Sequence, residues 1–181
     1  NIKIFNEYFT KKLSNEITNK FKNNNFLFIS DIRTADYRHM THIENEKCID
    51  KDNQWQYEWI KIMKPIVSMI KFRLPYPDVI KGSTKYFKGD IWLQQWSRRS
   101  STETRLIVEM KNIDNIIEYD HIIFEEQMFY FNEKIRKCKI ENKYYNKKLG
   151  YLNIWDCWSE SIVLEDYLKL NNKEITKESI W

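Results

Sequence analysis

The feature that most constrains this chain is an alternation of short, largely apolar strand-length segments with helix-period segments. Phe26-Leu27-Phe28-Ile29-Ser30 is a continuous apolar run of strand length that ends in Asp31, and residues 66–72 read as a second buried strand, ending at Lys71 and Arg73. Unbroken runs suit parallel strands buried on both faces. Before the first run, Phe9, Leu13, Ile17 and Phe21 recur every fourth residue and predict a helix over about residues 7–22. Asn23-Asn24-Asn25 is a turn signal after it. Trp55, Trp59, Ile62 and Met63 mark a second helix that must stop near Pro65. Residues 33–53 lack an apolar period and read as a long loop, while residues 2–5 read as a short strand. The order strand–helix–strand–loop–helix–strand implies right-handed crossovers and a largely parallel sheet with helices outside. Two further strand segments, 90–96 and Thr104–Glu109, are about seven residues apart, which predicts a hairpin and hence one antiparallel strand. Phe124, Met128, Phe131 and Ile135 give another helix face, and Trp158, Ile162, Leu164, Tyr167 and Leu168 a last one. The tail 171–181 is polar up to Ile180 and Trp181. Without a repeat or a linker, residues 1–181 are expected to form a single α/β domain.

Composition removes several classes. At 42% hydrophobic and 15% aromatic residues the chain is not a disordered tail. No apolar run approaches the roughly 18 residues of a membrane span. Gly82, Gly89 and Gly150 are too far apart for a GxGxxG fingerprint or a GxxxxGKT phosphate loop. Cys48, Cys138 and Cys157 are odd in number and lack CxxC spacing, which argues against a disulfide framework and a zinc cluster and for reduced thiols in an intracellular, cytoplasmic chain. His39, His42 and His121 are too scattered for a metal site, so no metal is expected, and His39 and His42 are expected on the surface of the polar loop. A net charge of +4 permits an anionic partner without demanding one.

In open α/β sheets, ligands sit at the carboxyl ends of the strands. Asp31 and Arg33 follow the first strand, and Lys71 and Arg73 close the second. If the last strand is antiparallel, Glu103 and Arg105 at its start reach the same rim. A lysine at the end of an apolar strand is costly unless paired, and Asp31 and Glu103 are its natural partners. Such a lysine orients a hydroxyl, or accepts its proton if burial or a nearby cation such as Arg73 lowers its pKa. A structural ion cluster at a sheet edge is the alternative, and spacing leaves both open.

Four segments make the pattern more specific. Ile29-Ser30-Asp31-Ile32-Arg33, Ile70-Lys71-Phe72-Arg73-Leu74-Pro75-Tyr76-Pro77-Asp78, Ser101-Thr102-Glu103-Thr104-Arg105-Leu106 and Phe124-Glu125-Glu126-Gln127-Met128-Phe129-Tyr130 follow one another in this order. As a set, over about residues 2–140, they resemble the poxvirus-type cap-specific mRNA (nucleoside-2′-O-)-methyltransferases, which double as small subunits of the viral poly(A) polymerase. The resemblance implies a Rossmann-like methyltransferase sheet, mostly parallel with an antiparallel strand. It also implies S-adenosylmethionine as methyl donor, capped mRNA as substrate and a poly(A) polymerase catalytic subunit as partner. Three members of the family's Lys-Asp-Lys-Glu tetrad match Asp31, Lys71 and Glu103, and Arg105 resembles the arginine supporting the aspartate. On this resemblance Lys71 activates the ribose 2′-hydroxyl, Asp31 lies between donor and lysine, and Glu103 positions both lysine and ribose. Donor contacts would fall on Asp31, Ile32 and Arg33, with Phe9 at the adenine edge.

The family's Gly-rich loop and first tetrad lysine have no counterpart in these residues. The resemblance is therefore to a C-terminal portion, lacking the first strands. Tyr76 and Asp78, between prolines, with Glu125 as a second acid, resemble most of the family's cap pocket: a ring to stack on a cationic base and acids to accept from its N–H groups. A Pro-rich turn with a half-buried tyrosine is the plainer reading. Arg98 and Arg99, with Arg73, are candidates for RNA phosphate contact. The rival function is a non-catalytic cap- or RNA-binding subunit of a capping or polyadenylation complex.

Overall fold

The structure is a computed structural model that describes residues 2, 4–21, 25–138, 140 and 154–176. Asn23, Asn24, Ile180 and Trp181, invoked above for a turn and a tail, lie outside the described residues. The chain groups into two compact units, Asn1–Leu93 with Glu103–Glu125, and Gln94–Thr102 with Glu126–Trp181.

The first unit holds α1 (Lys11–Lys20), β1 (Leu27–Ser30), α2 (His42–Met63), β2 (Val67–Phe72), β3 (Ser83–Phe87), β4 (Asp90–Leu93), β5 (Thr104–Glu109) and β6 (Ile116–Asp120). Four strands form one sheet in the order β1-β2-β5-β4. β1 runs parallel to β2, and β5 is antiparallel to both β2 and β4. Three strands therefore share a direction and one opposes them, which makes a mixed α/β sheet. Residues 2, 4 and 5 form no strand, and α1 begins at Lys11 because Thr10 caps it, its hydroxyl accepting from the Leu13 N–H. The expected strand 90–96 ends at Leu93.

Burial on both faces of the apolar runs is not observed. β2 alternates, with Ser68, Ile70 and Phe72 buried and the intervening residues half-buried, and β5 does likewise with Thr104, Leu106 and Val108. β1 is an edge strand of this sheet, and its Leu27 and Ile29 are exposed. The buried face carries an aromatic core: Phe72 stacks on Tyr86 at 5.4 Å and meets Phe124 and Tyr119 edge-on at 5.6 and 5.2 Å. Tyr86 and Tyr119 belong to the β3–β6 pair, a separate antiparallel ribbon that sequence patterning did not predict. Its strands lie about thirty residues apart in sequence, so no hairpin signal announces them.

The largest correction concerns residues 33–53. A loop was expected, yet α2 starts at His42 and runs 22 residues. Its buried positions are Asn45, Glu46, Ile49, Asp52, Asn53, Gln56, Trp59, Ile60 and Met63. The helical period is present, but in its first half it is written in polar residues, so an apolar count misses it. Thr41-x-x-Glu44 is a capping box in sequence and in structure, each side chain bonding the other's backbone N–H. As expected, the helix stops before Pro65, through Lys64 in the left-handed conformation.

The second unit holds the segment 94–102 and α4 (Trp155–Leu170), with a 3-10 turn Ile135–Lys137. α3 (His121–Glu133) begins in the first unit and continues in the second. In α4, Leu168 packs with Leu164 and Ile175, whereas Ile162 and Tyr167 are exposed, so the expected apolar face is only partly used.

Candidate functional site

Strand register assembles the rim. Ser30 pairs with Ile70 in parallel, which carries Asp31 alongside Lys71, and antiparallel pairing sets Lys71 opposite Arg105. Lys71 Nζ lies 2.9 Å from Asp31 Oδ1 and 3.7 Å from Glu103 Oε1. Arg105 donates to the same two carboxylates, at 2.8 Å to Asp31 Oδ1 and 2.9 Å to Glu103 Oε1. Arg33 donates to the other oxygen of Glu103 and, at 2.7 Å, to the Tyr37 hydroxyl. Asp31, Lys71, Glu103, Arg105 and Arg33 thus form one network. Its lysine side chain is 14% exposed and its Asp31 side chain 65%, so the rim opens toward solvent at the aspartate.

Burial pushes the Lys71 ammonium pKa below the ordinary lysine range, the cations of Arg33 and Arg105 push the same way, and Asp31 opposes them without prevailing. For Asp31 the balance is reversed. Partial burial raises its pKa, but the hydrogen bond and charge of Lys71, with Arg105 and Arg33, hold the carboxyl below its usual range. The cations acting on Lys71 are therefore Arg33 and Arg105.

Arg73, expected as an RNA contact and a neighbour of that lysine, is corrected by its burial. It is 6% exposed, donates to Glu46 Oε1 at 2.9 Å, and lies 4.2 Å from the centre of the Tyr76 ring. Glu46, fully buried, also accepts from the Tyr76 N–H at 2.9 Å. An ion pair from α2 therefore fixes the tyrosine from below. Tyr76-Pro77-Asp78-Val79 is a turn closed by the Val79 N–H on the Tyr76 carbonyl at 3.1 Å, with proline at its second position. His42 meets this turn: Nε2 is 3.2 Å from Asp78 Oδ2 and its ring is 6.0 Å from that of Tyr76. His42 was expected merely on a loop surface. Glu125 is half-buried on α3, next to the Phe124 that packs on Phe72.

The buried polar face of α2 holds the backbone of the rim. Gln56 Nε2 donates to the Lys71 carbonyl at 2.9 Å and Asn53 Nδ2 to that of Arg73 at 2.8 Å. Asp52 accepts from both the N–H and the hydroxyl of Thr34, at 3.0 and 2.7 Å. With Ile32, Arg33, Ile49, Lys71 and Arg73 these side chains line a narrow cleft. Sequence reading missed Glu46, Asp52, Asn53 and Gln56, and the capping box at Thr41 was the available signal.

The donor contacts fare differently. Phe9 packs on Trp59 at 4.9 Å and Phe28 at 5.8 Å, so its ring is engaged in the helix–strand core. Arg33 is committed to Glu103 and Tyr37. Of the two described glycines, Gly82 has φ +108 at the bend before β3 and Gly89 lies against the Ile107 backbone. Asp31 lies in the lysine network and Ile32 lines the cleft beside it. In the second unit, Arg98 and Arg99 are exposed in the segment 94–102, and the Lys137 hydrogen bond, with the Lys137 and Arg99 charges behind it, holds the Glu133 carboxyl below its usual range.

Residues 1–180 match the poly A polymerase regulatory subunit family. The chain belongs to that family. A relative of known description, the cap-specific mRNA (nucleoside-2′-O-)-methyltransferase of Fowlpox virus (strain NVSL), is 32% identical over 171 residues, covering 89% of this chain and 51% of the relative. The chain thus spans about half the length of that relative, and the family match covers both units.

Proposed function

We propose that this chain carries the acceptor side of an S-adenosylmethionine-dependent cap-specific mRNA 2′-O-methyltransferase. The observation that carries the reading is Lys71: a mostly buried lysine held by two carboxylates, whose pKa is nonetheless driven down by burial and two arginines. A ribose 2′-hydroxyl is a weak nucleophile that must lose its proton as the new O–C bond forms. A lysine with a lowered pKa is a suitable acceptor at near-neutral pH. Lys71 Nζ orients the hydroxyl and takes that proton. Asp31 holds Lys71, and Glu103, pinned by Arg33 and Arg105, keeps the lysine from rotating away. When bound, the donor supplies an electrophilic methyl group. No step of this mechanism is assigned to donor-binding residues of this chain.

The substrate reading rests on the Tyr76–Asp78 turn. N7-methylguanine is a cation with N–H donors, so a rigid ring beside a carboxylate suits it, with Glu125 as the second acid. Arg98 and Arg99 contact RNA phosphates, and a poly(A) polymerase catalytic subunit is the protein partner. The second reading, a non-catalytic cap- or RNA-binding subunit, is favoured by the family's description as regulatory.

Lys71→Met separates the two. In a protein joining residues 1–181 to the remaining half of the fowlpox relative, the substitution is expected to slow methyl transfer to capped RNA by about 10²–10⁴-fold while capped-RNA affinity is retained. Unchanged turnover in the variant removes Lys71 from the mechanism, whereas no turnover in a parent protein that nevertheless binds capped RNA supports the non-catalytic reading.

A further inference from the structure

In the second unit, Trp96 has φ +57. A bulky residue in the left-handed region is uncommon, and such strain persists only where surrounding bonds over-determine it. Here they do. The Trp96 N–H donates to Asp156 Oδ1 at 2.8 Å, and Gln95 Nε2 donates to Ser159 Oγ at 2.8 Å. Arg136 Nη2 donates to the Ser97 carbonyl at 2.9 Å and to Asp156 Oδ1 at 3.0 Å, and Asn132 Nδ2 donates to the Ser101 carbonyl at 2.9 Å. Arg136, Asp156 and Asn132 are all buried. A strained turn is thus bolted to a buried ion pair.

Packing does not explain the residue so held. The Trp96 side chain stands 52% exposed, in contrast to Trp59 in the core. Its one polar group is occupied, the indole Nε1 donating to Glu160 Oε2 at 3.0 Å, which fixes the ring by its edge. Two exposed cations, Arg98 and Arg99, follow within three residues, and the turn between them and Ser101 is closed by the Ser101 N–H on the Arg98 carbonyl at 2.8 Å. A fixed, accessible ring beside paired cations matches how proteins hold single-stranded nucleic acid, with a base on the ring and its phosphates on the cations.

We propose that Trp96, with Arg98 and Arg99, forms a stacking subsite for an unpaired base of an RNA strand. The subsite rests on the reading that this chain binds RNA, but not on the cap pocket or on methyl transfer. It is sequence-tolerant, because every base presents a π-face. A protein segment docking on the ring is the competing occupant, and it would show no dependence on bases.

The test compares uncapped oligo(A) of about ten nucleotides, a length within the usual span of such sites, with an abasic ribose-phosphate chain of equal length. Binding to the 181-residue chain is followed by fluorescence anisotropy of the labelled strand. Trp96→Ala is expected to weaken oligo(A) binding about ten- to a hundredfold and to leave the abasic chain unaffected. Trp96→Phe, which keeps a ring but loses the bond to Glu160, is expected to restore most of that affinity. Equal losses on both strands, a phenylalanine variant no better than alanine, or no preference of the parent for the base-bearing strand would each overturn the subsite. Neither strand carries a cap and no donor is present. A base-dependent loss here alongside a parent protein that binds capped RNA without methyl transfer would remove the methyltransferase reading alone. A parent chain that binds neither strand removes both the subsite and the RNA-binding reading.

Discussion

At the scale of single residues, the rim is an ion network in which cations and anions alternate around one lysine. Burial, Arg33 and Arg105 lower the Lys71 pKa, and Asp31 raises it. The rate of a reaction that needs neutral Lys71 rises with pH through that pKa, on a limb placed below the ordinary lysine value of about 10.4. Removing a cation lets the pKa climb back. Arg33→Met should therefore shift the limb to higher pH, and a pH–rate profile with an unmoved limb would detach Arg33 from the lysine's electrostatics. The Tyr76–Asp78 turn, on the proposed cap reading, gives a second residue-scale expectation. Tyr76→Ala should cost about 1–3 kcal/mol in affinity for capped RNA, by analogy with base–aromatic stacking, and spare uncapped RNA. Competition with cap analogue measures it, and equal loss on both RNAs would assign Tyr76 to the fold. Asp31, Lys71, Glu103 and Arg105 were legible because charges that end apolar runs stand out. Arg73 looks the same in sequence, but Glu46 turns it inward, and only the Thr41–Glu44 capping box signalled the helix that carries Glu46.

At the scale of elements, α2 is a helix whose buried face is polar where it meets the rim. Glu46 and Arg73 are both buried, and Glu46 also holds the Tyr76 N–H. Removing one member of a buried pair strands the other charge, so Glu46→Ala should destabilise the chain by about 3–5 kcal/mol. Urea unfolding reports the loss, and a cost near that of a surface pair would mean that Arg73 finds water or another acceptor. Gly89 sets the approach of β4 to β5. A Cβ there would stand 2.2 Å from the Ile107 carbonyl oxygen, which is backbone and cannot swing aside. Gly89→Ala should cost about 1–3 kcal/mol or more by overpacking, visible as a lowered thermal midpoint. Both effects depend on contacts between elements remote in sequence, which no window of local periodicity contains.

At the scale of the whole molecule, two units carry different parts of the proposed chemistry: the lysine rim and cap turn in the first, the strained arginine-bearing segment in the second. The Arg136–Asp156 pair is the anchor of the second, both side chains about nine-tenths buried. Arg136→Met should raise amide hydrogen exchange in residues 94–102 and in α4, while β1, β2 and β5 keep their protection, since opening proceeds in local cooperative units. Exchange rising equally in β2 would show that the anchor supports both units. Sequence alone determined the run from α1 through β1 to β2, the antiparallel sense of β5, and that Asp31, Arg33, Lys71, Glu103 and Arg105 would meet at one rim. These follow from hydrophobic run length, helical period and the cost of leaving charge at the end of an apolar strand. Tertiary structure alone decided which arginines surround Lys71, that Arg73 supports a ring, that β3 and β6 pair, and that Trp96 stands strained and exposed. Each of those depends on burial and on partners tens of residues away, and burial is a property of the packed chain that local pattern does not encode.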